Sequence, residues 1–490
     1  MGVGPRVHPA KSFGARRLVL IEFNELCPAL LDRWMAAGEL PNFRRFREMS
    51  EAFVTESDER EAPNLEPWIQ WYSLHSGLAF DQHRVFHLAD GPRAGHEDIW
   101  RFLSRHGRRV GNFGSMNAAP LSSKGDFYLA DPWCATNSAN PPNLQAFQDF
   151  VSRQVREYSR KDGMASISEA AGFSMFMLRH GLRAETAARF AARLSAEKIW
   201  DRGSKWKRAT LLDLLQMDVF FNLLKGSQAD FATFFSNSTA HFQHAYWRHM
   251  DPKPFLVRPA AGELAKYGDA ILFGYKCMDK LLSRFFELEH GGTVLVLATA
   301  LSQQPFLRYE QSGGQHFYRP RDVQALLDLM GVHAISVEPT MTNQFNLHCA
   351  AEEGDAVEES LLALRMDGEP VFLTQRMSPG QVYFGCRVSR IVPAGAVVTR
   401  VGSNEALQFS DLFYLIEGMK SGRHHPDGVL WIKTGVGSET ADRVSILDVF
   451  PTIAEMVLGG ASDWQVTPEG IPRRGDSLVS RFSGLSGVAA

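Results

Sequence analysis

The sequence predicts an α/β protein with a doubly wound, mostly parallel sheet and helices on both faces. Three observations carry that prediction. Short, continuous apolar runs such as Arg17-Leu-Val-Leu-Ile-Glu-Phe23 and Thr293-Val-Leu-Val-Leu-Ala298 read as strands buried on both sides, the kind parallel sheets contain. Helical segments alternate with these runs. The 490 residues suffice for one large α/β domain with insertions, or for two to four smaller domains.

In chain order, Met1 to Ala15 read as a loose tail and residues 16–490 as the domain. The first strand, Arg17 to Phe23, leads into a helix opened by Pro28 and closed at Gly38. Asn24, Glu25 and Leu26 thereby fall at the carboxyl end of the first strand, the edge where open α/β sheets bind ligands. A helix at about Ile99 to Arg105 precedes the strand Val110 to Phe113. The helix Leu211 to Leu224 precedes Phe231 to Phe235, and the helix Tyr267 to Glu287 precedes Thr293 to Ala298. The strand Val429 to Ile432 precedes a final helix at about Ile446 to Leu458. Two stretches interrupt the rhythm. Residues 140–225 are helical and rich in Arg, Phe and Met, and read as a helical cap. Residues 335–410 turn strand-rich and read as a small α+β insertion.

Composition narrows the function. Hydrophobic residues make up 44% and charged residues 22%, an ordinary globular balance. Lys plus Arg total 52 against 55 Asp plus Glu, so the basic excess that nucleic-acid binders rely on is missing. The five cysteines are dispersed, which argues against a disulfide scaffold or a cysteine zinc site. No run approaches the ~20 apolar residues of a membrane span. The N-terminal apolar run stops at Glu22, too short for a secretory signal. The expectation is a cytoplasmic protein without an integral membrane segment, in an oligomeric state that the sequence leaves open.

Several ordered segments together resemble the alkaline phosphatase superfamily, in particular its type I phosphodiesterase/nucleotide pyrophosphatase branch. They are Leu18 to Phe46 with Gly38-Glu-Leu-Pro-Asn-Phe, then Pro67-Trp-Ile-Gln-Trp-Tyr-Ser-Leu-His-Ser-Gly77, then Thr239-Ala-His-Phe-Gln-His-Ala-Tyr-Trp247. Tyr275-Lys-Cys-Met-Asp279 follows, and Gly422-Arg-His-His-Pro-Asp-Gly-Val-Leu430 and Ser445-Ile-Leu-Asp-Val-Phe-Pro-Thr-Ile453 complete the set. The resemblance implies an alkaline-phosphatase-like fold and a site in which two metal ions flank a Thr or Ser nucleophile. Position by position, that site is degenerate. The first-strand Asp of the family falls on Asn24, and the nucleophile on Glu66 or Pro67. The Asp-x-x-x-His pair falls on Ala240 and His244, the later Asp-His pair on Thr299 and Ala300, and the last His on His424. Only the two histidines survive, and two neutral imidazoles fall short of a usual zinc site.

Glu66, His244 and His424 are therefore the candidate catalytic residues, and Glu22, Asn24, Glu25, Trp68, Gln70 and His241 the candidate substrate-binding ones. A carboxylate near imidazoles can act as nucleophile or general base. Glu66 reads equally as the cap of the helix that Pro67 opens. The metal expectation is none, or at most one divalent ion such as zinc at His244 and His424, with Glu25, His241 or a water completing the shell. Three functions follow. The first is a superfamily hydrolase or transferase with a remodelled site, acting on a phosphorylated small molecule or glycan. The others are a non-catalytic binding member and a conventional metal-dependent phosphodiesterase.

Overall fold

The computed structural model describes residues 16–482 except 89, 122–125, 135–136, 157–166, 200–203, 341–342, 404, 417 and 461–462; the tail read at Met1 to Ala15 lies outside them. The strand Arg17–Phe23 forms where the apolar run places it, at the centre of a nine-stranded sheet. Both its neighbours, Phe231–Ser236 and Thr293–Ala298, run parallel to it. On the Phe231–Ser236 side the sheet continues through Val110–Phe113 and Phe127–Leu129, again parallel, to the antiparallel Ala139–Asn140. On the other side Asp427–Lys433 is antiparallel to both its neighbours, and the parallel pair Ser50–Glu56 and Ser438–Ser445 forms the edge. The sheet is thus mixed and mostly parallel, as predicted.

Side-chain alternation along the first strand explains why both faces are covered. Val19, Ile21 and Phe23 enter one core with Leu30, Phe43, Phe220, Phe242 and Tyr275. Leu18 and Leu20 enter the other with Trp71, Trp100, Phe102 and Phe450. A strand with two apolar faces has no stable place at an edge. The helices Gln145–Arg156, Ile167–Arg179, Ala184–Ile199 and Ala209–Ser227 fill the stretch read as helical. Phe147, Val151, Met177, Leu215 and Phe220 from these helices pack into the first core. The helix predicted over Tyr267 to Glu287 is shorter, Ala270–Phe285; Tyr267 instead ends a separate helix, Ala261–Tyr267, which the Gly268 amide closes on the Leu264 carbonyl.

Residues 318–413 build a third core of their own, with Phe345, Leu347, Phe372, Val382 and Phe384 at its centre. Two four-stranded sheets and the helices Val323–Leu329 and Gly354–Leu362 surround it. In the strand Gln381–Cys386, Val382 and Phe384 point into this core, so Tyr383 points out of it.

One buried cation ties the end of the chain to the helix Pro67–Ser76. Arg473 donates to the carbonyls of Ser76 (2.7 Å), Trp464 (2.7 Å) and Glu97 (3.1 Å), and its guanidinium lies 4.1 Å from the Phe450 ring centre. The helix ends at Gly77, whose φ of +66° favours glycine, and a Cβ there would meet Arg473 Cδ at 2.9 Å. Arg473→Ala strands three carbonyls in the interior. It is expected to lower the urea unfolding free energy by about 3 kcal/mol, with Arg473→Lys recovering part of the loss. A loss below about 1 kcal/mol, the scale of a surface contact, would contradict this.

Candidate functional site

The first strand delivers Asn24 and Glu25 to the carboxyl edge of the sheet. Glu25 adopts φ +62°, a left-handed backbone that costs a non-glycine residue about 1 kcal/mol or more. Its carbonyl is held by the Gln243 side-chain amide at 2.7 Å, and Gln243 is held by the Tyr275 hydroxyl at 3.0 Å. The bend buries the Glu25 carboxylate, which is 1% exposed. There Asn24 Nδ2 donates to Oε1 at 2.9 Å, and Gln303 Nε2 donates to Oε2.

Two imidazoles face this carboxylate. His244 rides on the helix Ser238–Met250, with Nε2 3.2 Å from Glu25 Oε2. His424 rides on the strand Gly422–His425, with Nε2 3.7 Å from Glu25 Oε1. Gly422 lets that strand approach the helix, since a Cβ there would meet Gln303 Oε1 at 2.2 Å and Gln243 O at 2.5 Å. The Ser421 amide donates to the His244 carbonyl at 2.8 Å, which bolts the two elements together.

The other ring nitrogens fix the tautomers. His244 Nδ1 lies 3.2 Å from the Gly422 carbonyl, and His424 Nδ1 lies 2.9 Å from the Leu65 carbonyl. A carbonyl only accepts, so each Nδ1 carries a hydrogen, which leaves Nε2 as the ring atom that meets Glu25. Two imidazole nitrogens and a carboxylate thus converge on one point. The Glu25, His244 and His424 donor atoms all lie within 4.8 Å of one another. Tetrahedral zinc separates its N and O ligands by about 3.3 Å, so the donor set fits one ion after small adjustments. Backbone carbonyls orienting the far nitrogens supply the outer support that metal-binding histidines use.

Electrostatics agree with the geometry. Burial pushes the Glu25 carboxyl up, but the charges of His424 and His244 and the bonds from His244 and Gln303 outweigh it and hold it at about 2. Burial drives His424 down to about 4 against the pull of Glu25, so its ring is neutral at physiological pH. Glu66 behaves oppositely. Burial pushes it up, the Lys420 charge opposes, Glu25 adds to the rise, and the carboxyl reaches about 8. Its Oε2 lies 3.3 Å from His424 Nδ1. Glu66 does precede the helix Pro67–Ser76, but its side chain makes no capping bond, which corrects the capping reading.

The structure therefore brings together Glu25, Glu66, His244 and His424, with Asn24 beside them. It places the other candidates elsewhere. Glu22 is fully buried, with Oε1 2.7 Å from His75 Nε2 and Oε2 receiving the Ser115 hydroxyl at 2.6 Å, so it is an interior residue and not a substrate contact. Gln70 is buried and pins the loop before Glu66, accepting from Glu59 N at 3.4 Å and donating to Asn64 O at 3.3 Å. Trp68 spends its indole N–H on the Phe86 carbonyl at 2.9 Å. His241 stays outside the trio, and burial together with the His244 charge pushes it down to about 4.

The positions matching the family's second ion are otherwise engaged. Asn24 accepts the Trp71 indole N–H at 2.7 Å and donates to Asn237 Oδ1 at 2.7 Å as well as to Glu25. Thr299 Oγ1 accepts the Val429 N–H at 3.0 Å, and Ala300 offers only a methyl group. Sequence reasoning missed Gln243, Gln303, Tyr275 and Lys420. It also treated Glu25 chiefly as a substrate contact. The available signal was its place one residue after a lost carboxylate, beside two retained histidines.

No protein-family model matches the chain, and no curated protein does. Among solved structures, murine ectonucleotide pyrophosphatase/phosphodiesterase 5 is 10% identical, with a TM-score of 0.39 over 94% of this chain and 97% of that one. Phosphonoacetate hydrolase from Sinorhizobium meliloti in complex with phosphonoacetate is 14% identical, with a TM-score of 0.40 over 92% of this chain and 97% of that one. Wild-type alkaline phosphatase PafA is 11% identical, with a TM-score of 0.43 over 94% and 98%. Scores this low say nothing about the site, which rests on its own atoms.

Glu66 gives a pH signature. Its folded value of about 8 exceeds the ordinary 4.5, so the folded chain holds this proton more tightly than the unfolded one. Its contribution to stability is complete below pH 4.5 and is lost as the pH rises through 8. Asp213, raised to about 7 by burial, acts in the same direction, so the readout is a difference. With chelator present, Glu66→Gln is expected to flatten the fall in urea stability between pH 4.5 and 8 relative to the original protein. An identical slope in both proteins would contradict it.

Proposed function

We propose that this chain is a member of the alkaline phosphatase superfamily whose two-ion centre is reduced to a single cation site. In this reading Glu25, His244 and His424 hold one divalent ion, zinc being the best match to two imidazoles and a carboxylate. The chain hydrolyses or transfers the phosphoryl group of a phosphorylated small molecule or glycan. One observation supports this most strongly: two imidazoles, each with its Nδ1 hydrogen committed to a carbonyl, aim their Nε2 atoms at one buried carboxylate.

The residues divide the work. A bound ion supplies Lewis acidity toward a phosphoryl oxygen. Glu25 carries the anionic charge, and Gln303 and Asn24 hold its two oxygens in place. Glu66 keeps its proton at neutral pH and stands ready to give it to a leaving-group oxygen. No Thr or Ser occupies the nucleophile position, so a water is the attacking group this reading favours. No helix among the described residues is long and apolar enough to cross a membrane.

Metal titration tests the reading. The purified chain is expected to bind one equivalent of Zn²⁺. At a free concentration one hundred times Kd, that ion adds about 2.7 kcal/mol of stability. Glu25→Gln, His244→Ala and His424→Ala should each remove both effects. Phosphate monoesters and diesters assayed with and without the ion then separate an enzyme from a binding protein. Two tightly bound equivalents, or stoichiometric binding that survives Glu25→Gln, would overturn the proposal.

A further inference from the structure

Lys420 stands four residues before His424, on the segment whose next residue bonds to the His244 carbonyl. Its own amide donates to the Gln315 carbonyl at 3.0 Å, so its backbone is fixed on both sides. Its ammonium lies 4.9 Å from the centre of the Phe306 ring, a contact that shields one side from water. Both site carboxylates, Glu66 and Glu25, act on its charge. Even so, among the described residues it forms no ion pair, while both carboxylates contact imidazoles. A half-buried ammonium with no partner is costly unless something anionic arrives to meet it.

The neighbourhood indicates what arrives. The amide of Asn24, the engaged hydroxyl of Thr299 and the methyl of Ala300 leave no anionic ligands for a second divalent ion. Lys420, whose charge acts on Glu25, Glu66 and His424, is a cationic side chain beside the trio that forms no ion pair among the described residues.

We propose that Lys420 is a substrate-binding residue that docks a phosphate oxyanion beside Glu25, His244 and His424, supplying the positive charge that a second ion would otherwise provide. This rests on the single-cation reading above and adds to it the residue that recognises the substrate's anionic group. A Lys ammonium suits this role as a compact charge with three donors on a flexible stem.

The test uses the full chain and inorganic phosphate, titrated by calorimetry with saturating Zn²⁺ and again with chelator. Lys420→Met should weaken phosphate binding about tenfold or more, the loss expected for a charge-assisted hydrogen bond. It should leave Zn²⁺ affinity within about twofold of the original, because the lysine ligates nothing. Lys420→Arg should retain most of the phosphate binding, and the melting temperature of each variant establishes that it is folded. If the original chain binds no Zn²⁺, the single-cation reading fails, yet the chelator arm still compares the original with Lys420→Met. Phosphate affinity unchanged by Lys420→Met, or no phosphate binding by the original chain in either arm, overturns the role of Lys420. Inorganic sulfate binding as tightly as phosphate overturns the phosphate assignment.

Discussion

Glu25 is an anion taken out of water, and the rest of the site follows from what keeps it charged. Burial alone would leave its carboxyl protonated. Two amides, from Asn24 and Gln303, and two imidazoles reverse that tendency. Each of these groups comes from a different element: the first strand's end, the strand Ser302–Pro305, the helix Ser238–Met250 and the strand Gly422–His425. Shifting any one of them would uncover an unpaired buried charge. The carboxyl edge of the sheet is thus held together by the same anion that gives the site its chemistry. The left-handed backbone at Glu25 is part of that arrangement, because it turns the carboxylate inward where an extended residue would not.

The comparison with the family's pattern acquires a physical meaning here. Where the resembling pattern has carboxylates, this chain has Asn24 and Ala240, and its own carboxylate is Glu25, one residue after Asn24. Gln303 links the two directly, donating to the Ala240 carbonyl at 3.1 Å and to Glu25. On the proposed reading, charge is moved by one residue and reduced, and the amide hydrogen-bond network takes the room of a second ion. Asn24 is central to this exchange. Its amide nitrogen presents hydrogens to Glu25 and Asn237, which a carboxylate at the same place could only repel.

Much of the fold is legible in the sequence because its strands are apolar on both faces. Arg17–Phe23, Val110–Phe113 and Thr293–Ala298 are bounded where the apolar runs end. Ser50–Glu56 and the edge strand Ser438–Ser445 escape such reading because their sequences are of mixed polarity. Within the site, His244 and His424 are legible from their spacing in the resembling segments. Glu22 misleads, because strand alternation turns it into the interior toward His75 and Ser115. Glu66 misleads in another way: its place before Pro67 suggests a cap, and only the meeting with His424 across the fold shows otherwise. Gln243 and Gln303 carry no local signal, since their roles arise from contacts between segments far apart in sequence.

The most direct test of the single-cation account is anomalous diffraction from crystals soaked in Zn²⁺ and collected on both sides of the zinc edge. The account predicts one anomalous peak per chain at this edge of the sheet, bonded to Glu25, His244 Nε2 and His424 Nε2, with no zinc ligated by Asn24 or Thr299. Two peaks, or a single peak that leaves Glu25 unbound, would contradict it.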